Sequence, residues 1–121
     1  MPAILFVSHD NDLRAVAARV LRSAGWQVTA AAHGGHALLA CAGGRAFDVL
    51  VVEEQMPGET GAALARRLRR YGSGMPVVCM RDRGARGAGD GMEAIRVVRP
   101  FTADDLIDAV LQAAAMANAT A

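Results

Sequence analysis

A chain of 121 residues, 53% of them hydrophobic, has the size of one domain and enough apolar material to bury a core of its own. Its formal net charge of +1 excludes a global field that would draw it to nucleic acid or to a membrane, and its apolar runs fall short of the roughly 20 residues that a spanning helix needs. Cys41 and Cys79 are the two cysteines; they match neither a metal spacing nor a C-x-x-C pair and read as reduced thiols in apolar surroundings.

The first apolar run, Ile4 to Val7, is too short for a helix and reads as a buried strand. It carries no basic residue ahead of it, so no secretory signal is expected, and the expected location is the cytoplasm. Leu13, Val16, Ala17, Val20, Leu21 and Ala24 then recur at helical spacing, with Asp10 or Asn11 to cap the helix and Gly25 to end it. Trp26 to Ala31 reads as a second strand. Gly34-Gly35 opens a short helix with Leu38, Leu39 and Cys41 on its apolar face, and Gly43-Gly44 ends it. His33 and His36 flank the two glycines and are expected in a solvated loop. Phe47 to Val52 is the clearest strand, with a continuous apolar run typical of strands covered on both faces. Met56-Pro57-Gly58 is a turn, and Thr60 or Gly61 starts a third helix carrying Leu64, Leu68 and Tyr71. Met75 to Met80 and Ile95 to Val98 are the fourth and fifth strands. Thr102 caps a last helix, with Asp104 and Asp105 in its first turn and Leu106, Ile107, Val110 and Leu111 as its apolar face. Beyond Met116 the tail is expected to fray.

Residues 81–91 interrupt this rhythm. Each Gly in a helix costs about 1 kcal/mol relative to Ala, and four fall between Gly84 and Gly91. A flexible loop is predicted there, with at most one turn near Met92-Glu93-Ala94. Its arginines read as solubilising, because no aromatic stacking platform accompanies them. Arg66, Arg67, Arg69 and Arg70 suit a helix C-terminus and read as a solvated face.

Alternating strands and helices predict one α/β domain over 1–121, with a parallel sheet covered on both faces. Ligands and active residues of such sheets gather at the carboxyl ends of the strands. Those ends are Ser8-His9-Asp10, Glu53-Glu54, Arg81-Asp82 and Arg99-Pro100.

Three stretches resemble the response-regulator receiver family: Ile4 to Arg14; Phe47 to Glu53 with Gln55-Met56-Pro57-Gly58 and Gly61; and Val97-Val98-Arg99-Pro100-Phe101-Thr102. Their order and spacing match over roughly residues 3–116. The resemblance implies a flavodoxin-like, doubly wound sheet of five parallel strands, here with the fourth helix short or melted. It also implies a Mg²⁺ site of carboxylates and an aspartate that takes a phosphoryl group, with a Thr or Ser and a Lys to bind its oxygens. By this alignment the acidic pair falls on Ser8 and His9, with Asp10 one residue late. The phosphoacceptor falls on Glu53, the switch hydroxyl on Arg81, the Lys on Arg99 and the aromatic switch on Arg96. No required position keeps its family identity.

The expected function is therefore that of a degenerate receiver that signals by phosphorylation-independent protein–protein interaction and is not an enzyme. Mg²⁺ binding is expected to be lost and no other cofactor is expected. Glu53, paired with Arg99 and with Arg81 as a further candidate, would imitate a phosphorylated aspartate; a solvated Glu53 that switches nothing is the alternative. His9, as a lone histidine near carboxylates, reads as a hydrogen-bonded polar residue rather than a metal ligand. The expected partner is a protein or a second copy, met through the fifth strand and last helix at Arg96, Phe101, Leu106, Val110 and Ala113; neither membrane nor nucleic acid is expected. Two other functions stand beside this one. A receiver could still be phosphorylated or bind metal through a rearranged pocket of Asp10, Glu53 or Glu54. A small flavodoxin-like ligand binder or enzyme would need a phosphate-cradling glycine loop, which Gly34-Gly35 does not provide.

Overall fold

The computed structural model describes residues 2–44, 46–71, 74–83 and 94–119. Five strands form one sheet: β1 (Ala3–Val7), β2 (Gln27–Ala31), β3 (Val49–Glu53), β4 (Val77–Asp82) and β5 (Ile95–Arg99). They lie in the order β2-β1-β3-β4-β5, every pair parallel. The helices are α1 (Asn11–Ser23), α2 (Gly34–Ala42), α3 (Gly61–Leu68) and α4 (Ala103–Ala119), and a 3₁₀ turn, Arg69–Tyr71, follows α3. Two two-residue arms, Gln55–Met56 and Glu59–Thr60, pair antiparallel around Pro57-Gly58, where Gly58 has φ 87°. The Arg99–Pro100 peptide is cis.

The pleat divides the core into two layers. Ile4, Phe6, Val49, Val51, Val78, Met80 and Val97 pack beneath α1 and α4. Leu5, Val7, Leu50, Val52 and Val77 turn the other way, beneath α2 and α3. Two-residue alternation sends neighbouring side chains to opposite faces, so an all-apolar strand feeds both layers. This is the doubly wound arrangement, and its chain order reverses between β1 and β3. A crevice opens there, outside the carboxyl ends of those strands.

The strands run further than the apolar runs alone predict. β3 extends through Glu53, β4 through Asp82 and β5 through Arg99. Ladder pairs such as Glu53 with Met80 and Asp82 with Arg99 continue the backbone pairing under polar side chains. Arg81 and Asp82 are therefore strand residues, not loop. The glycine-rich segment from 84 and the turn near Met92-Glu93 lie outside the described residues.

Four apolar positions differ from expectation, Val16 of α1, 56% exposed, among them. Leu39 is 72% exposed, because α2 buries Gly34 and Ala37, and Leu39 lies across the helix from them. Leu111 is 52% exposed: α4 buries Leu106, Ala109, Val110 and Ala113, and Leu111 falls one residue past that stripe. Tyr71 is exposed because the 3₁₀ turn leaves the register of α3. α4 is helical to Ala119, and alanine, the best helix former, recurs along that end. His36 lies in the first turn of α2 rather than in a loop, and His33 occupies the exposed bend before it. His33 caps α2, its Nδ1 accepting from the N–H groups of Gly35 at 3.1 Å and His36 at 3.4 Å. The two rings stack with centroids 4.0 Å apart.

Candidate functional site

β1 ends at Val7, and the next three residues turn into α1. Ser8 is fully buried; its N–H donates to Ala31 O at 3.1 Å and its Oγ accepts from Asp10 N–H at 3.1 Å. Asp10 then caps α1, with Oδ1 accepting from Asp12 N–H at 3.0 Å and Leu13 N–H at 3.1 Å. These bonds satisfy two of the donors that every helix N-terminus leaves open. The Leu13 bond is the main reason the Asp10 carboxyl lies below its ordinary value; a burial penalty opposes it, and the Asp12 bond and the Arg99 charge add to it. Asp10 thus serves the helix first.

Glu53 ends β3 and is 2% exposed. Its Oε2 accepts from His9 N–H at 3.1 Å and meets His9 Nδ1 in a short contact. Its Oε1 accepts from Arg99 Nη2 in another short contact. A buried carboxylate needs a charged partner or hydrogen bonds on both oxygens, and Glu53 has both kinds. Gly61 permits this placement. A Cβ there would collide with the Glu53 carbonyl oxygen, so the start of α3 packs directly onto the end of β3.

Arg99 ties the strand ends together. Besides Glu53, it lies 3.9 Å from Asp10 Oδ2 through Nη1 and 3.5 Å from Asp82 Oδ1 through Nε. Asp82 has the same strand parity as Val78 and Met80, which puts it on the Glu53 side of the sheet. Arg81 has the opposite parity, so it does not reach Glu53. Its Nε lies 3.1 Å from Glu54 Oε2 instead. The result is a polar cleft of about 140 Å³ lined by His9, Asp10, Glu53, Glu54, Asp82 and Arg99. Glu54 and Asp82 were legible as strand-end residues, and parity with Met80 is the signal that assigns Asp82 to the cleft.

The structure thus brings His9, Asp10, Glu53 and Arg99 together, with Ser8 beneath them as a buried support. On the proposed partner face it separates the predicted residues. Leu106 is 2% exposed and Val110 and Ala113 are fully buried, so they hold α4 to the sheet and present nothing to a partner. Arg96 is exposed and Phe101 half-buried; they line a groove between β5 and α4 with Val98, Asp105, Asp108 and Gln112. The thiol of Cys79 is buried, and burial, with the nearby Glu54 charge, raises it to about 11. Among the described residues no group of three or more His, Cys, Asp or Glu side chains is placed to hold a metal ion. No helix among them is long and apolar enough to cross a membrane.

A five-stranded 2-1-3-4-5 parallel sheet with polar residues gathered at the β1 and β3 ends defines a flavodoxin-like receiver fold. The family model of the response regulator receiver domain matches residues 4–111, and the chain belongs to that family, the receiver module of two-component signalling. The transcriptional regulatory protein TcrA of Mycobacterium tuberculosis is 36% identical over 107 residues, covering 85% of this chain and 42% of that protein. The transcriptional activator protein PfeR of Pseudomonas aeruginosa is 38% identical over 84 residues, 69% of this chain and 27% of that protein. The chain therefore spans less than half the length of these curated relatives. Among solved structures, the receiver domain of the hybrid histidine kinase CckA is 30% identical with a TM-score of 0.78, covering 93% of this chain and 98% of that one. The chemotaxis protein CheY4 of Vibrio cholerae is 25% identical with a TM-score of 0.81, at the same coverage.

Proposed function

We propose that this receiver works without phosphorylation, held in one state by the Glu53–Arg99 pair and acting by binding a protein. The observation that carries this is the engagement of both Glu53 oxygens, by His9 on one side and Arg99 on the other. A phosphoacceptor must offer a carboxylate oxygen to the incoming phosphorus, and Glu53 can do so only by giving up its contact with His9 or with Arg99 in a buried site.

The donor set does not fit the family's Mg²⁺. Magnesium takes oxygen ligands in a near-octahedral shell. Here the first-strand positions supply a buried hydroxyl committed to Asp10 N–H and an imidazole turned onto Glu53, and the guanidinium of Arg99 occupies the neighbourhood with fixed positive charge.

The pair links the cleft to the partner face. Arg99 is the last residue of β5, and β5 with α4 lines the groove of Arg96, Val98, Asp105 and Asp108. That groove, rather than the buried Leu106, Val110 and Ala113, is the surface assigned to a protein partner or a second copy. Incubation with acetyl phosphate and Mg²⁺, followed by intact-mass measurement, tests the absence of phosphotransfer. The mass should stay unchanged; a gain of one phosphoryl group on Asp10, Glu53 or Glu54 would support the rearranged pocket instead.

A further inference from the structure

A second concave site lies away from the cleft. An open groove of about 650 Å³ runs between α1 and β2, lined by Arg14, Arg19 and Arg22 with Ala15, Ala18 and Ala30 between them. Among the described residues no acidic side chain lines it. Two of the guanidinium groups are held by backbone. Arg14 Nη1 donates to Ser8 O at 2.9 Å and its Nη2 to Asn11 Oδ1, while Arg22 Nη2 donates to Val28 O at 3.0 Å. These bonds fix the planes of two cations, and Arg19 stands exposed between them.

The geometry points to a docking site for an acidic, extended peptide segment of a protein partner. Eight residues of helix separate Arg14 from Arg22, a rise of about 12 Å. Alternate side chains of an extended strand repeat at about 6.7 Å, so carboxylates at i, i+2 and i+4 span the same length. A single phosphate spans no more than part of it. β2 is an edge strand, and its odd-numbered residues bond to β1, as Gln27 N–H does to Pro2 O and Ala31 O to Ser8 N–H. Val28 and Ala30 therefore turn their backbone groups to the open edge; Val28 O already accepts from Arg22 Nη2, and the N–H and C=O of Ala30 together suit a peptide main chain, whereas an inorganic anion could use only the N–H. The alanine floor lets that main chain approach. Nucleic acid is the weaker fit: three arginines give few phosphate contacts, and no aromatic ring lines the groove for a base to stack on.

Fluorescence anisotropy with a labelled peptide carrying Glu at three alternate positions tests this on the whole chain, with circular dichroism to verify each variant's fold. The wild type should bind saturably and more weakly as salt rises. Arg19→Glu with Arg22→Glu should weaken binding roughly tenfold or more. Arg19→Glu alone, at an exposed position that holds no backbone group, should weaken it without touching the fold. Unchanged affinity in both variants, no binding by the wild type, or preferential binding of inorganic phosphate or a DNA duplex would each overturn the assignment.

Discussion

Glu53 closes β3, and its carboxylate meets Arg99 and His9. Glu53 is buried and Arg99 is 29% exposed, so the pair sits where removing one partner matters more than it would on the surface. Arg99→Met strands a buried carboxylate with His9 alone and should destabilise by about 3 kcal/mol in urea denaturation. Glu53→Gln leaves a neutral amide facing a cation that still has Asp10 and Asp82, and should cost about half as much. Equal or reversed costs would show that Arg99 is not the group neutralising Glu53. Cys79 gives a second residue-scale expectation. Its folded thiol lies near 11 against an ordinary value of 9.0. The neutral form is favoured by folding, so its contribution is complete below pH 9 and is lost as pH rises towards 11. Iodoacetamide at pH 8 should leave Cys79 unmodified until the protein unfolds. Rapid native alkylation of Cys79 would contradict its placement in β4.

At the scale of elements, the two sides of α4 differ. Its buried stripe anchors it to the sheet, and its exposed flank joins β5 in the groove. Leu106→Ala should cost about 3 kcal/mol by opening a cavity, whereas Arg96→Glu should leave thermal stability nearly unchanged and alter association measured by sedimentation velocity or partner pull-down. If Arg96→Glu changes neither, the groove is not the interface. Element positions were largely legible in the sequence, because apolar runs and caps such as Asp10, Thr60 and Thr102 mark them directly. Their polar ends were legible as positions at the ends of strands, but not as members of the ladder. Glu53, Asp82 and Arg99 carry no apolar signal, and only pairing with neighbouring strands shows that they extend the sheet. The apolar face of α2 was misassigned at Leu39 because that helix is apolar nearly all round, which leaves hydrophobicity without a direction, and that of α4 at Leu111 because it borders the buried stripe. The arginines of α1 drew no sequence reading, because they form a groove only once β2 supplies the other wall.

For the whole molecule, the family and the sheet order were within reach of the sequence, and the state of the cleft was not. The resemblance sets Ser8, His9, Glu53, Arg81 and Arg99 at the expected phosphorylation positions, but does not say which of them meet. Arg81 turns to Glu54 and Arg99 turns to Glu53, a division set by strand parity across the sheet. The outcome is a receiver fold whose strand ends are bound to one another by fixed charges. The most direct test of this account is an amide NMR titration with Mg²⁺ followed by beryllofluoride, a mimic of the phosphoryl group. The account predicts no shifts around Glu53 with either addition. Saturable shifts at Glu53 that spread to β5 and α4 would contradict it and restore a phosphorylation switch.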